Sequence, residues 1–231
     1  LYERNSLLEI VEKTAKESFI PLTVGGGIRT IEDIRNILRT GADKVSINTA
    51  AIKNPDFIRE AANRFGSSTI VVTIEAIKSG EGTYLAFTDN GREFTGINAI
   101  EWAEQLEELG AGELVVTSVD REGTGQGYDL ELTERISKNV SIPVIAHGGA
   151  GKIQHVCEVF QKSHADAVAV ASLLHYETIK RIQCMRTTED EGNIEFLKSG
   201  MGRSTIQEED IGAIKEALFH LGIPCRHNIH H

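Results

Sequence analysis

The features that would take this chain into a membrane or out of the cell are missing from its sequence. No run of about 18 apolar residues occurs, and no charged segment leads into an apolar stretch with a small-residue cleavage site, so a cytoplasmic protein is expected. Cysteine is scarce. Cys157, Cys184 and Cys225 are odd in number, far apart and free of any CxxC pair, which argues against both a disulfide framework and a zinc site. The histidines show no ligand spacing either, so no metal and no other cofactor is expected. Positive charge is also short: the net charge is -10 and Lys and Arg are scattered singly, which repels a nucleic-acid backbone. Any anion bound here has to be held by local groups.

At 231 residues and 40% hydrophobic composition, the chain can bury a substantial core, as one large α/β domain or two small ones. Leu1 to Glu17 reads as the tail of a connection followed by a helix, so the sequence is expected to begin in the middle of a fold. Apolar runs then alternate with helical periodicity. Strands are expected at 19–24, 43–47, 68–75, 113–119, 142–146 and 166–170, with helices at 31–40, 55–65, 97–109, 129–139 and 152–162 between them. Gly41 and Gly66 stand where helices stop, and Asn90-Gly91 marks a hairpin within an insertion at 77–96. Strands alternating with helices imply parallel pairing. Both an open doubly wound sheet and part of a (β/α)8 barrel fit that pattern.

A repeat favours the barrel. IPLTVGGGI from Ile20 falls on IPVIAHGGA from Ile142, and ADKVSINT from Ala42 falls on ADAVAVAS from Ala165, so two consecutive strand units have near-copies later in the chain. In an eight-unit barrel, copies four units apart face each other across the C-terminal mouth. Glycine turns followed by helix N-termini offer bare backbone N–H groups, which hold phosphate without lysine. A small, elongated ligand with a phosphate at each end is therefore expected. Glu75 ends the most apolar strand, where a carboxylate is costly unless it faces a polar mouth. Asp120, in TSVDREGTGQG, reads either as a functional carboxylate or as a loop brace. His147, beside Gly148, reads either as a donor or acid at the phosphate turn or as a hydrogen-bonded strand-end histidine. Lys44 and Glu113 begin their strands, where charge ordinarily stabilises.

Taken together, TVGGGIRT, GADKVSINTAA, Gly110 to Glu113 (GAGE), TSVDREGT with GYD after it, and GGAGK followed by ADAVAVAS resemble the cyclase subunit of imidazole glycerol phosphate synthase. The tail 206–226, ending in GI-x-x-R, resembles that family's last helix. The resemblance implies a TIM barrel built of two half-barrels, here without the first strand, first helix and second strand. It implies one incomplete barrel domain over 1–231, with the hairpin insertion and a polar insertion at 183–205. It also implies a glutamine amidotransferase partner of the HisH type that supplies ammonia, and a bisphosphorylated aminoimidazole carboxamide ribulosyl nucleotide as substrate. Gly27, Asn48 and Thr49 then match one phosphate site, and Gly123, Gly149, Ala171 and Ser172 match the other. Lys44 and Glu113 match an ammonia gate, and Glu75 and Asp120 are the catalytic candidates. The sequence departs from the family where Glu75 replaces an aspartate, His147 a serine and Glu122 an aspartate. Three readings follow: a cyclase, a paralogue delivering ammonia to a surface-polysaccharide sugar, or a non-catalytic barrel fragment.

Overall fold

The computed structural model describes residues 4–80, 82–183 and 206–226; the insertion beyond Gln183 and Cys184 lie outside them. Along the chain run α1 (Arg4–Glu17), β1 (Thr23–Gly25), α2 (Ile31–Thr40), β2 (Lys44–Ile47), α3 (Thr49–Lys53) and α4 (Asp56–Phe65). Then come β3 (Ile70–Ser79), β4 (Thr83–Thr88), β5 (Glu93–Asn98), α5 (Ala99–Glu108), β6 (Glu113–Ser118) and α6 (Leu130–Asn139). The series closes with β7 (Val144–His147), α7 (Ile153–Lys162), β8 (Ala167–Val168), α8 (Ser172–Gln183) and α9 (Ile211–His220).

The sheet order is β1-β2-β3-β6-β7-β8, and every neighbouring pair in it is parallel. The order follows the sequence without reversing. A doubly wound sheet reverses at its switch point, whereas right-handed crossovers that always advance keep every helix on one face. Burial agrees with that placement. Val45, Ile47, Ile70, Val72, Ile74, Ala76, Leu114, Val116, Val144 and Ala146 lie on the helix side, each at most 2% exposed. Of the residues between them, Lys44, Ser46, Thr73, Glu75, Glu113 and His147 are half-buried on the opposite face. One apolar covered face and one polar open face make this a half-barrel of the (β/α)8 type, with its lumen side carrying the polar groups.

Helix starts follow local chemistry. Thr30 and Asp33 form a reciprocal capping box at α2, and Asn98, Asp129 and Asp210 cap α5, α6 and α9 with side-chain oxygens, satisfying amides that would otherwise lack partners. At the end of α2, Gly41 takes φ 117° and closes against α1, where a Cβ would stand 2.7 Å from that of Ala15.

Several boundaries differ from those read off the sequence, each for a tertiary reason. The strand placed at 19–24 shrinks to β1, and Phe19 is 98% exposed. Among the described residues β1 and β8 each pair on one side only, so their ends have no second ladder to hold them. The strand placed at 68–75 instead runs on to Ser79, because β4 pairs antiparallel with residues 75–79 beyond the point where β2 stops. β5 then pairs antiparallel with β4. At the tip Asp89, Asn90 and Gly91 have φ of 55°, 58° and 75°, the left-handed backbone that an Asn-Gly turn supplies. The helices α3 and α8 were not apparent in the sequence pattern.

Candidate active site

Strand register puts three polar side chains in one row at the C-terminal mouth. Glu75 on β3 pairs with Thr117 on β6, and Thr117 pairs with His147 on β7. Adjacent residues of a parallel pair point to the same face, so the row lies on the half-barrel's open side. Glu75 Oε2 accepts a hydrogen bond from Gly91 N at 2.9 Å, which ties the hairpin tip to the carboxylate. Val119 lies under the same tip, since a Cβ on Gly91 would meet its Cγ1 at 2.7 Å. Thr117 Oγ1 and His147 Nδ1 are 2.9 Å apart. One layer below, Ser46 and Thr73 share a hydroxyl hydrogen bond of 2.7 Å.

Asp120 sits elsewhere. It is exposed, and its Oδ2 accepts from Lys78 N at 2.8 Å, bracing the loop after β6 against β3. It lines a 740 Å³ groove with Lys78, Tyr84, Arg121, Asp129 and His155, a groove that Glu75 does not line. Within it the Tyr84 hydroxyl donates to Asp129 Oδ1 at 3.0 Å. Burial and the Asp129 and Glu131 carboxylates push that phenol well above its ordinary pKa, so Tyr84 stays a donor.

The two glycine turns follow β1 and β7, on either side of the central β3 and β6. After β1, Gly26 and Gly27 have φ of 104° and 69°, and a Cβ on either would meet nothing within 4 Å. After β7, Gly148 and Gly149 have φ of 93° and 106°, and the second turn is packed. A Cβ on Gly149 would stand 2.2 Å from Gly127 O, and Gly127 N donates to Gly149 O at 2.7 Å. Gly123, φ 67°, belongs to the loop that wedges this turn. The strand that follows each turn also ends alike. Asn48 and Thr49 lead β2 into α3, and Ala171 and Ser172 lead from β8 into α8, so a hydroxyl residue opens a helix in both places. Asn48 Oδ1 is buried with no hydrogen-bond partner among the described residues, whereas buried polar atoms are ordinarily paired.

At the other end of the strands, Lys44 and Glu113 form an ion pair on the open face. They start β2 and β6 and meet across β3, whose Val71 lies in register with Glu113. The sequence identified both charges; their direct pairing depends on register.

His155, on α7, accepts from Gly151 N through Nδ1 at 3.1 Å. Burial first, and Lys152 second, hold its pKa below the ordinary histidine value of 6.5. A depressed pKa means that the unfolded chain binds the proton more readily. Stability from this neutral imidazole is therefore present above about pH 6.5 and is lost as pH falls below it. In His155→Gln the decline in the urea midpoint between about pH 7 and pH 5 should flatten; an unchanged slope would remove His155 as its cause.

No helix among the described residues is long and apolar enough to cross a membrane. Cys157 is a buried free thiol, and Cys225 Sγ donates to Lys215 O at 3.4 Å.

The stretch that carries these residues also matches known proteins. A family model described as "Histidine biosynthesis protein" matches residues 2–180. The chain is 52% identical over 177 residues to the imidazole glycerol phosphate synthase subunit HisF of Alkaliphilus metalliredigens, covering 77% of this chain and 70% of that one. It is 56% identical over 173 residues to the protein of the same name from Bacillus cereus strain Q1, covering 75% of this chain and 69% of that one.

Proposed function

Because the chain belongs to the histidine biosynthesis protein family, whose fold is the TIM barrel, we propose that it is the cyclase subunit of an imidazole glycerol phosphate synthase. Its reaction takes ammonia from a HisH-type glutamine amidotransferase. It converts the bisphosphorylated aminoimidazole carboxamide ribulosyl nucleotide to imidazole glycerol phosphate and aminoimidazole carboxamide ribotide, in the cytoplasm. The observation that carries this reading is the sheet order itself. It sets two glycine turns, each followed one strand later by a helix-opening hydroxyl, on either side of a central strand that presents Glu75.

In this reading Gly27, Asn48 and Thr49 hold one phosphate. Gly123, Gly149, Ala171 and Ser172 hold the other, through backbone N–H groups and hydroxyls rather than cations. Glu75 moves protons between them. Its Oε2 is fixed by Gly91 N, which leaves Oε1 for substrate, and such a positioned carboxylate contributes about 10²- to 10⁴-fold. Asp120, the second catalytic candidate, keeps one oxygen on Lys78 N and would act from the groove it lines rather than from the Glu75 row. The Lys44–Glu113 pair stands at the N-terminal rim, where ammonia from the partner would enter. The test is an ammonia-dependent cyclase assay with the bisphosphate substrate, alone and with the glutaminase. Turnover supports the proposal. No turnover, with glutaminase activation retained, would reject the cyclase and leave a conduit.

A second reading draws on Glu75 and His147, which stand where the family carries aspartate and serine. The extra methylene of Glu75 is used to reach the hairpin amide, which the sequence places in its own insertion. A paralogue amidinating a surface-polysaccharide sugar would show glutaminase activation but no imidazole product.

A further inference from the structure

We propose that His147 is a hydrogen-bond donor to the phosphate at the second glycine turn, held in the required tautomer by Thr117. This rests on the reading of that turn as a phosphate cradle. The argument starts from Thr117, which is 4% exposed. A buried hydroxyl has to donate its proton somewhere, and among the described residues the only hydrogen-bond partner of Thr117 Oγ1 is His147 Nδ1, at 2.9 Å. If Nδ1 carried the ring proton, the threonine hydrogen would be left buried without an acceptor, which costs about 1–3 kcal/mol. Thr117 therefore donates, Nδ1 accepts, and the ring proton of the neutral imidazole sits on Nε2.

Nε2–H has no protein partner among the described residues. His147 is half-buried on the open face, whereas its neighbour Ala146 is fully buried on the helix side. The next two residues are Gly148 and Gly149, whose positive φ values shape the turn. Gly148 is wedged as well: a Cβ there would stand 2.8 Å from Ser118 O. The turn is thus fixed next to a fixed donor. An N–H donor beside a glycine turn selects a ligand that accepts, such as a phosphate ester.

The test uses inorganic phosphate. In the wild type, imidazole ¹⁵N resonances of His147 at pH 8 should show the Nε2–H tautomer, and the Nε2 signal should move as phosphate is added. His147→Phe should weaken phosphate binding by calorimetry about tenfold, the loss of one hydrogen bond to a charged group. His147→Gln, which keeps a donor, should restore much of it. Thr117→Val should shift the tautomer balance and weaken binding less than His147→Phe does. An Nδ1–H tautomer in the wild type, or unchanged phosphate affinity in a folded His147→Phe, would overturn the proposal. Turnover with no His147 response to phosphate rejects this inference and spares the cyclase. A His147 response without turnover does the reverse.

Discussion

Glu75→Gln should lower kcat for the ammonia-dependent reaction by about 10³-fold, with KM for the bisphosphate little changed. Glutamine is close to isosteric, and its amide oxygen can still accept from Gly91 N, as Glu75 Oε2 does at 2.9 Å. The hairpin tip therefore stays docked, and what disappears is the group that exchanges a proton. A variant that also lost inorganic phosphate binding would point to a displaced hairpin rather than lost chemistry. A kcat near the wild-type value would remove Glu75 from the mechanism. Glu75→Asp gives the complementary result. The shorter side chain draws away from Gly91, and misplacement of about 1 Å costs on the order of a hundredfold, so an intermediate kcat is expected. Recovery to the full wild-type rate would mean that the hairpin contact does not position the carboxylate.

The second large effect separates the two glycine turns. Gly149→Ala places a Cβ 2.2 Å from Gly127 O and 3.0 Å from Arg121 Cβ, on a backbone with φ 106°. Neither of these neighbours is the far end of a flexible side chain, so the loop 121–127 must move. Strain and overpacking together should cost about 3 kcal/mol or more. Gly27→Ala meets nothing within 4 Å and carries only the penalty of φ 69°, about 1–2 kcal/mol. At about 2–4 °C per kcal/mol in a chain of this size, thermal unfolding should show a large fall in Tm for Gly149→Ala and a small one for Gly27→Ala. Gly27→Ala is thus the variant that tests the proposed phosphate cradle with the fold retained. Equal Tm shifts would contradict the packing difference between the turns.

The sequence shows why the turns exist but not how they differ. Both read as glycine clusters after apolar strands, because glycine takes a positive φ without the steric cost other residues carry. That Gly26 and Gly27 stand in open space while Gly149 is clamped follows from the loop after β6 folding back on β7, a contact between segments distant in sequence. The same distinction runs through the elements. Thr30 with Asp33 announces the start of α2 locally, and Gly41 its end. The end of β3 has no local signal, since residues 75–79 are strand only because β4 arrives beside them. Likewise, β1 and β8 are short where, among the described residues, each pairs on one side only, not where the residue type changes.

Local chemistry and periodicity therefore determined the α/β alternation, the repeated half-barrel units, the glycine turns with their following hydroxyls, and the carboxylates and rim charges worth testing. Tertiary structure decided which of their atoms are occupied. Glu75 is bonded to the hairpin tip at Gly91, Asp120 to the backbone of Lys78, Lys44 to Glu113, and Thr117 to His147. The physical reason is register. Hydrogen bonds are short and directional, and a shift of one residue between parallel strands would turn each of these side chains to the opposite face of the sheet. Composition and spacing carry no information about that offset.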